Sequence, residues 1–387
     1  MPRPFDSALD ERLSLPFDAP AHPPTMPLRP GLNFALQDYL ALASHPDLRS
    51  AALAALHRQG LAAPSHTRTA RVLALEDRLV ALVRRPVALT FPSGAQAIRQ
   101  TLRALLRPGD HVIVDSAAHP AMFETVLLSQ ARLHRSPAAS VESVERRLLR
   151  LARQPRSGRL IIAVPAVSAH ASGVADLAEL SALARQYGAI LVVDVTHDFG
   201  AMGPGGGGVA EIQGCGARID ILLGSLAKSF GASGGFAAFA DPALRTALLR
   251  NPGQTAALSP VNAAVLLAAL DLVAGSEGQR RRRNLHGLSL RLRNHLMADG
   301  IRPLGKASPL VPIRLPLPTA EARTALLQSA GPRVPLLQAP SVPLHAPRWR
   351  IQLTAAHSPA DIDDLAELIR DVTRAFDRQS PRRRVLI

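Results

Sequence analysis

The stretch "LLGSLAKSFGASGG", residues 222–235, places a lysine among small residues directly after an apolar run. The lysine is unusual, because 45 residues of the chain are Lys or Arg and only Lys228 and Lys306 are lysines. Arginine stays protonated in proteins, whereas lysine can lose its proton and attack a carbonyl. The stretch therefore predicts that Lys228 bonds to a carbonyl compound; the alternative is a surface lysine in a Gly- and Ser-rich loop.

Apolar segments alternate with helical segments on either side of this stretch. "HVIVD" (111–115), "LIIAVPA" (160–166) and "AILVVDV" (189–195) have the composition of buried strands, and "LAELSALARQYG" (177–188) has that of a helix. Strands that alternate with helices in this way form parallel sheets covered on both faces. The pattern predicts an α/β fold whose large domain contains a mainly parallel sheet covered by helices.

Changes in composition divide the chain into four parts. The segment "DAPAHPPTMPLRPG" is rich in proline, and the chain becomes more helical after residue 260 before two further strand-like segments follow. We predict an N-terminal arm (1–30), a large domain (31–260), a helical connection with a small C-terminal α+β domain (261–376) and a basic tail (377–387).

Composition and charge limit the classes of protein to consider. No apolar stretch reaches the ~18 uncharged residues of a membrane helix, and no signal peptide is recognised, so no membrane association is expected. The single cysteine, Cys215, excludes an intrachain disulfide and favours the cytoplasm. The net charge of +15 favours an anionic partner or reflects arginines on solvated helices. Nucleic acid is not expected, because the basic clusters lack interleaved aromatic residues.

Polar residues follow the ends of several predicted strands. Ligands of parallel sheets bind beyond the carboxyl ends of the strands, so these residues are expected to meet at one edge. Taken singly, each could also be a helix cap, a turn residue or a structural histidine. The residues are Ser93, Gly94, His119, Ser168, Asp194, His197, Ser225 and Lys228.

Pyridoxal phosphate (PLP) would use such residues together. Its aldehyde needs an amine, its ring nitrogen needs an anionic partner, and its phosphate needs backbone N–H groups. The segment "PSGA" (92–95) could supply those N–H groups at a helix N-terminus, or could simply be a turn. His, Cys and carboxylate residues show no metal-ligand spacing, so no metal is expected.

Four segments, in order along the chain, resemble the α-oxoamine synthases, a family within the PLP-dependent aminotransferase superfamily of fold type I. "NFALQDYLALASHPDL" resembles NF-x-x-NDYLGL-x-x-HP, and "VVDVTHDFGAMGPGGGG" resembles VDEAHSFGVLGP-x-GRG. "GSLAKSFGASGGF" resembles GTLGKAFG-x-SGG, and "RWRIQLTAAHSPADIDDL" resembles RLRLTLTAAH-x-x-x-DID. The resemblance covers roughly residues 30–375.

The resemblance implies roles around the cofactor ring. Lys228 would bond to the cofactor aldehyde and later move the substrate proton. Asp194 would pair with the ring nitrogen, and His197 would hydrogen-bond the ring hydroxyl, with Ser168 near it. His119 would stack on the ring. Lys228, His119, Asp194 and His197 are the implied catalytic residues.

The resemblance also implies a phosphate site. Gly94 and Ala95 would donate backbone N–H groups to the phosphate, next to Ser93, and the Ser225 hydroxyl would join them. Thr255 would reach the phosphate of a neighbouring subunit, because the family's sites lie at a dimer interface. A homodimer is therefore expected.

A third group of implied residues surrounds the substrate. Arg350 would bind a substrate carboxylate, for which a bidentate guanidinium is suited. Arg348 lies on the same face of the predicted strand, so the sequence leaves these two arginines as alternatives. Ser341 would line the same pocket, and Gln37 stands where the family has a carboxylate-approaching asparagine.

The implied reaction is a decarboxylative condensation of an amino acid with an acyl thioester, carried by coenzyme A or an acyl carrier protein, to give an α-aminoketone. Two alternatives stay open. One is a fold-type-I enzyme that uses no thioester, such as an aminotransferase, aldolase or decarboxylase. The other is a catalytically altered scaffold that binds PLP.

Several positions depart from the family pattern. They lie in segments expected to surround the amino-acid and acyl groups, so they favour a specialised biosynthetic role over a housekeeping role in biotin or haem synthesis, while a biotin-like role stays within the prediction. The departing residues are Gln37, Val72, Ala95, Ile98, Thr196 and Ala256.

Overall fold

The computed structural model describes residues 32–61, 68–153, 158–250 and 258–379. Within these ranges the chain forms a seven-stranded sheet, a three-stranded sheet and the helices that pack on them. The prediction for Thr255 and the departure at Ala256 lie outside the described residues. The division into an arm, two domains and a tail stays a prediction.

The seven-stranded sheet is mainly parallel. Its order is β1-β7-β6-β5-β4-β2-β3, and only β7 runs antiparallel to its neighbours, β1 and β6. The predicted α/β class is therefore confirmed. The strands are β1 (Val87–Phe91), β2 (His111–Asp115), β3 (Arg132–Ser136), β4 (Leu160–Pro165), β5 (Ala189–Asp194), β6 (Ile221–Ser225) and β7 (Gly235–Phe239).

Helices cover both faces of this sheet. Successive residues of β4 show the alternation, because Ile162 and Val164 pack into one apolar cluster while Ile161 and Ala163 pack into the other. The helices before the small sheet are α1 (Pro46–Gln59), α2 (Ala70–Val83), α3 (Gly94–Leu105), α4 (Pro120–Leu128), α5 (Val141–Ala152), α6 (Leu177–Gln186), α7 (Gly208–Ile212), α8 (Pro242–Leu249) and α9 (Pro260–Ala274).

The C-terminal part contains the small antiparallel sheet, in the order β8-β10-β9. Trp349 at its centre is fully buried, and its Nε1 donates a hydrogen bond to Thr324 Oγ1 at 2.8 Å. The last helix continues into the range predicted as the basic tail. The elements are α10 (Ser276–Ala298), β8 (Leu310–Arg314), α11 (Ala320–Ser329), β9 (Leu336–Leu337), β10 (Arg348–Gln352) and α12 (Pro359–Gln379).

Among the described residues, no single helix is long and apolar enough to cross a membrane. Helices α9 and α10 reach that length and apolarity only when taken together, across a bend of 73°. The core helices of proteins that do not enter membranes meet the same criterion, so the pair is weak support for a span.

A buried carboxyl fastens the loop that follows β5. Asp198 is fully buried, and its Oδ2 accepts a hydrogen bond from the Val209 N–H at 2.7 Å. Gly208 approaches so closely that a Cβ there would lie 2.2 Å from this oxygen. Asp198 Oδ1 has no hydrogen-bond partner in the described residues. Burial raises the pKa of Asp198 to about 8, so the fold favours the protonated acid.

We expect Asp198→Asn to relieve a pH-dependent loss of stability. Because the pKa of Asp198 is higher in the folded state than in the unfolded state, the protonated carboxyl contributes to the free energy of unfolding. This contribution is complete below about pH 4 and is lost as the pH rises to about 8. It amounts to about 1.4 kcal/mol per unit of pKa difference. The amide keeps the acceptor for Val209 and does not ionise. Thermal melts from pH 5 to 9 should show the Tm of the variant rising relative to the parent up to about pH 8. A Tm difference that is constant across this range would contradict the assignment.

Candidate active site

The carboxyl edge of the large sheet brings Asp194, His119 and Lys228 together. Asp194 ends β5 and is 7% exposed, and its Oδ1 accepts a hydrogen bond from the Thr196 N–H at 3.0 Å. Burial raises the pKa of Asp194, while the Thr196 hydrogen bonds and the charges of His119 and Lys228 lower it. The three titratable groups therefore share one electrostatic environment, as the strand-end pattern predicts.

Lys228 follows β6, and its environment lowers the pKa of its amine. Its Nζ donates a hydrogen bond to Gln37 Oε1 at 2.5 Å. Burial and the charge of Arg350 lower the pKa of Lys228 to about 8, against the opposing effect of Asp194. An amine with this pKa is partly unprotonated near neutral pH, which is what attack on a carbonyl requires.

His197 is held by a buried tyrosine. Tyr39 is fully buried, and its hydroxyl lies 2.7 Å from His197 Nδ1. Burial raises the pKa of Tyr39 and lowers that of His197 well below its usual value, so the phenol stays protonated and the imidazole neutral. The phenol then donates to Nδ1, and the pairing assigns the ring proton to Nε2. His197 thus presents a hydrogen-bond donor on the side away from Tyr39.

His119 has a structural task as well as a place in the site. It is the N-cap of α4, and its Nδ1 accepts a hydrogen bond from the Ala121 N–H at 3.1 Å. Burial lowers the pKa of His119, with smaller contributions from nearby charges. The cap fixes the ring beside Asp194, so His119 can be a helix cap and a residue of the site at once.

A tight cradle forms where α3 begins. A Cβ on Gly94 would lie 2.7 Å from the Ser225 Cβ, and a Cβ on Gly235 would lie 2.3 Å from the Ser93 carbonyl oxygen. The Ser93 hydroxyl accepts a hydrogen bond from the Gln96 N–H at 3.2 Å and caps the helix. The first N–H groups of α3, including that of Ala95, have no partner within the helix and are suited to an anion.

Ser225 and Ser168 belong to the loops that shape this edge. The Ser225 N–H donates to Thr196 Oγ1 at 3.0 Å, which ties the end of β6 to the second residue after β5. Ser168 is buried after β4, where its hydroxyl accepts a hydrogen bond from the Ala171 N–H at 3.3 Å. Both serines therefore hold backbone in place around Asp194.

The structure distinguishes the two arginines of β10. Arg348 donates to the carbonyl oxygens of Ala346 at 3.1 Å and His170 at 3.3 Å, so backbone acceptors engage it. Arg350 Nε is buried and has no hydrogen-bond partner among the described residues. The charge of Arg350 also acts on Lys228 and His197. Arg350 is thus the guanidinium whose charge acts on the site and which has a hydrogen-bond donor without an acceptor.

The role of Ser341 stays a prediction, and three residues to which the sequence analysis gave no role in the site contact it or act on it. Ser341 lies exposed in a turn, and no hydrogen bond within the described ranges joins it to the other site residues. Tyr39, Thr196 and His170 contact or act on the site through hydrogen bonds and charge. Strand-end reasoning could have found His170, which follows β4, whereas nothing local to Tyr39 indicates its contact with His197.

Comparison with known proteins assigns the chain to a family. Residues 29–369 match the family model for aminotransferase class I and II. The chain belongs to this family. The match spans both sheets of the structure, so the family assignment applies to nearly the whole chain.

Individual relatives narrow the assignment. An 8-amino-7-oxononanoate synthase from Stutzerimonas stutzeri is 32% identical over 87% of this chain and 86% of its own. Another, from Herminiimonas arsenicoxydans, is 35% identical over 86% of this chain and 88% of its own. A solved structure of serine palmitoyltransferase (SPT) with PLP has a TM-score of 0.86 and 25% identity over 97% of this chain and 98% of its own. The predicted resemblance and the fold-type-I architecture are thereby confirmed.

We expect the Thr196 hydroxyl to stabilise the site's backbone. Thr196→Ala removes the acceptor of the Ser225 N–H and a hydrogen bond to Asp194, so the free energy of unfolding should fall by about 1–2 kcal/mol. Thr196→Ser keeps the hydroxyl and should lose less than half of that, as measured by urea denaturation. Equal losses in the two variants would show that the methyl group, not the hydroxyl, matters.

Proposed function

We propose that the chain is a PLP-dependent synthase that condenses an amino acid with an acyl thioester, releasing carbon dioxide and the free thiol and forming an α-aminoketone. The observation that carries the proposal is the half-buried Lys228, with its lowered pKa, beside Asp194 at the carboxyl edge of a mainly parallel sheet. Relatives named 8-amino-7-oxononanoate synthase and a similar SPT with PLP support it.

The residues of the site fit PLP. The N-terminus of α3, packed closely against Ser225, offers N–H groups without partners in the helix to a phosphate, and the buried Asp194 is the anionic partner for a ring nitrogen. The Nε2 donor of His197 suits a ring hydroxyl, and Lys228 is the amine for the aldehyde. When bound, PLP would supply an electron sink that stabilises a carbanion at the substrate's α-carbon.

The chain's own residues would then handle substrate and protons. Arg350, whose Nε has no partner in the described part of the chain, would bind a substrate carboxylate through charge-assisted hydrogen bonds. Lys228 would take the α-proton at Nζ, because its lowered pKa leaves it partly neutral. Gln37 accepts a hydrogen bond from Nζ and so orients the amine's lone pair. The side chain of Gln37 is one methylene longer than the family's asparagine, which brings this amide to the lysine.

The same proposal includes the acyl donor, the oligomeric state and the cellular location of the protein. Coenzyme A and an acyl carrier protein are both anionic, and the net charge of +15 favours the approach of an acidic carrier protein at low salt. A homodimer, with Thr255 reaching the partner's phosphate site, and a cytoplasmic location stay predictions. Acyl transfer from the carrier protein that is no faster than transfer from a free thioester at low salt would contradict the choice of carrier.

The proposed reaction predicts a dependence on two substrates. The holoenzyme, incubated with a panel of single ¹⁴C-carboxyl amino acids, should release labelled carbon dioxide and form an aminoketone only when an acyl thioester is present. Lys228→Ala should abolish product, whereas Lys306→Gln should keep it. Carbon dioxide release or amino transfer without a thioester would indicate another fold-type-I activity. Binding of PLP with no reaction for any pair would indicate a scaffold.

Arg350 should set the pH at which Lys228 becomes reactive. Arg350→Gln removes a cation that lowers the pKa of Lys228, so the pKa should rise above about 8 and attack should need a higher pH. The rate at which apoprotein binds PLP covalently, measured by absorbance from pH 6 to 10, should show an upward shift of its midpoint. Arg348→Gln is the matched control on the same strand and should leave the midpoint in place. Equal shifts in both variants would refute a specific role for Arg350.

A further inference from the structure

A second cavity, which we call the basic cavity, lies apart from Lys228. It has a volume of about 650 Å³ and lies between the loop after β5, helix α10 and the segment before β8. Ligand sites for small molecules commonly have volumes of 300–1,000 Å³. The lining residues used below are Val174, Met202, Arg282, Arg283, Leu285 and Lys306, with Ile212 and His286 at the mouth.

The walls of the basic cavity are largely apolar. Leu285 is buried, and Val174 and Met202 are partly buried. Ile212 is 57% exposed. A ligand that covers this large apolar side chain would lower the free energy by removing its surface from water. The surface is therefore suited to the hydrocarbon part of a ligand.

The polar part of the lining includes the cations Arg282, Arg283 and Lys306 beside neutral residues such as Gln213, Gln279 and Ser308. Arg283, His286 and Lys306 are exposed and have no ion pair within the described ranges. Arg282 is 5% exposed, and its terminal nitrogens donate to the carbonyl oxygens of Val273 at 2.7 Å, Pro204 at 3.0 Å and Gly200 at 3.4 Å, so it holds backbone beside the cavity. The exposed Arg283 and Lys306, beside apolar walls, are suited to an anionic ligand.

No carboxylate lines the basic cavity among the described residues. The carboxylate of Glu211 influences Arg282, but it accepts hydrogen bonds from the N–H groups of Gly205 and Gly207 within its own loop. The charge of the lining is therefore left for a ligand to neutralise.

The basic cavity and the active site lie on the same two loops but use different residues. The loop after β4 carries Ser168 in the active site and Val174 in the cavity wall. The loop after β5 carries His197 in the active site and Met202 in the cavity wall. None of the active-site residues lines the cavity, so a ligand there would contact the supporting loops rather than the reacting groups.

We infer that the basic cavity binds a small amphipathic anion, an aliphatic chain that ends in a carboxylate or a phosphate. The chain would lie against the apolar walls, and the anionic end would meet Lys306 and Arg283. A neutral chain of the same length would leave these cations unpaired and bind more weakly. This inference does not depend on the proposed reaction.

Isothermal titration calorimetry on the holoenzyme tests the inference with three probes. Octanoate and octyl phosphate should each bind saturably at one site per chain, and octanol should bind at least tenfold more weakly. A stronger signal for octanoate or for octyl phosphate identifies which anionic end the cavity prefers. Octanol binding as tightly as the two anions, or no saturable binding of either anion, would overturn the inference.

Variants locate the binding. Lys306→Gln and Arg283→Gln should each weaken anion binding about threefold to tenfold, and Met202→Trp, which fills the space, should abolish it. Arg280→Gln is the matched control, because Arg280 lies on the same helix with a 67% exposed side chain and does not line the cavity. Lys228→Ala should bind octanoate as the parent does. Binding that is lost in Lys228→Ala but unchanged in Met202→Trp would place the probe in the active site and refute the assignment.

Discussion

The burial of Lys228 near the cation Arg350 and the carboxyl group of Asp194 is the constraint on which the active site depends. Burial and Arg350 lower the pKa of Lys228 to about 8, and Asp194 prevents the shift from becoming larger. This balance requires all three groups at fixed positions. The parallel strands supply two of them at one edge, and the small antiparallel sheet supplies the third.

The backbone around this group leaves little freedom. The start of α3 presses against Ser225 so closely that Gly94 has no room for a side chain, and Thr196 ties β5 to β6 through the Ser225 N–H. Asp198 fastens the next loop to α7. Hydrogen bonds of this kind are modest singly, but they fix the loops that would contact a cofactor.

Much of the fold could be predicted from the sequence, because the buried strands are apolar runs bounded by turns. Strand β2 has the predicted bounds, and the helix α6 differs from its prediction only at the C-terminal end. Strand β3, "RLHRS", was missed because it lies at the edge of the sheet and lacks an apolar run. Strand β7 was missed because the small residues that precede it resemble a loop, and its antiparallel direction depends on pairing with distant β1.

Part of the candidate site could likewise be predicted from local sequence, whereas another part depends on contacts between residues that are far apart in the chain. Lys228, Asp194 and His197 could be predicted because each stands at a strand end within a recognisable segment. The contact of Tyr39 with His197 joins residues 158 positions apart, and the hydroxyl of Thr196 acts through a neighbouring strand, so neither could be predicted from local sequence. The structure also separates Arg350 from Arg348, which strand periodicity leaves equivalent.

The central claim is that Lys228 is the amine that bonds to the cofactor aldehyde. The holoenzyme can be reduced with borohydride, which fixes such a bond, and then digested and analysed by peptide mass spectrometry. The chain contains only two lysines, so the assignment is unambiguous. We predict a pyridoxyl group on the peptide that carries Lys228 and none on the peptide that carries Lys306. Labelling of Lys306 alone, or of neither lysine, would contradict the account.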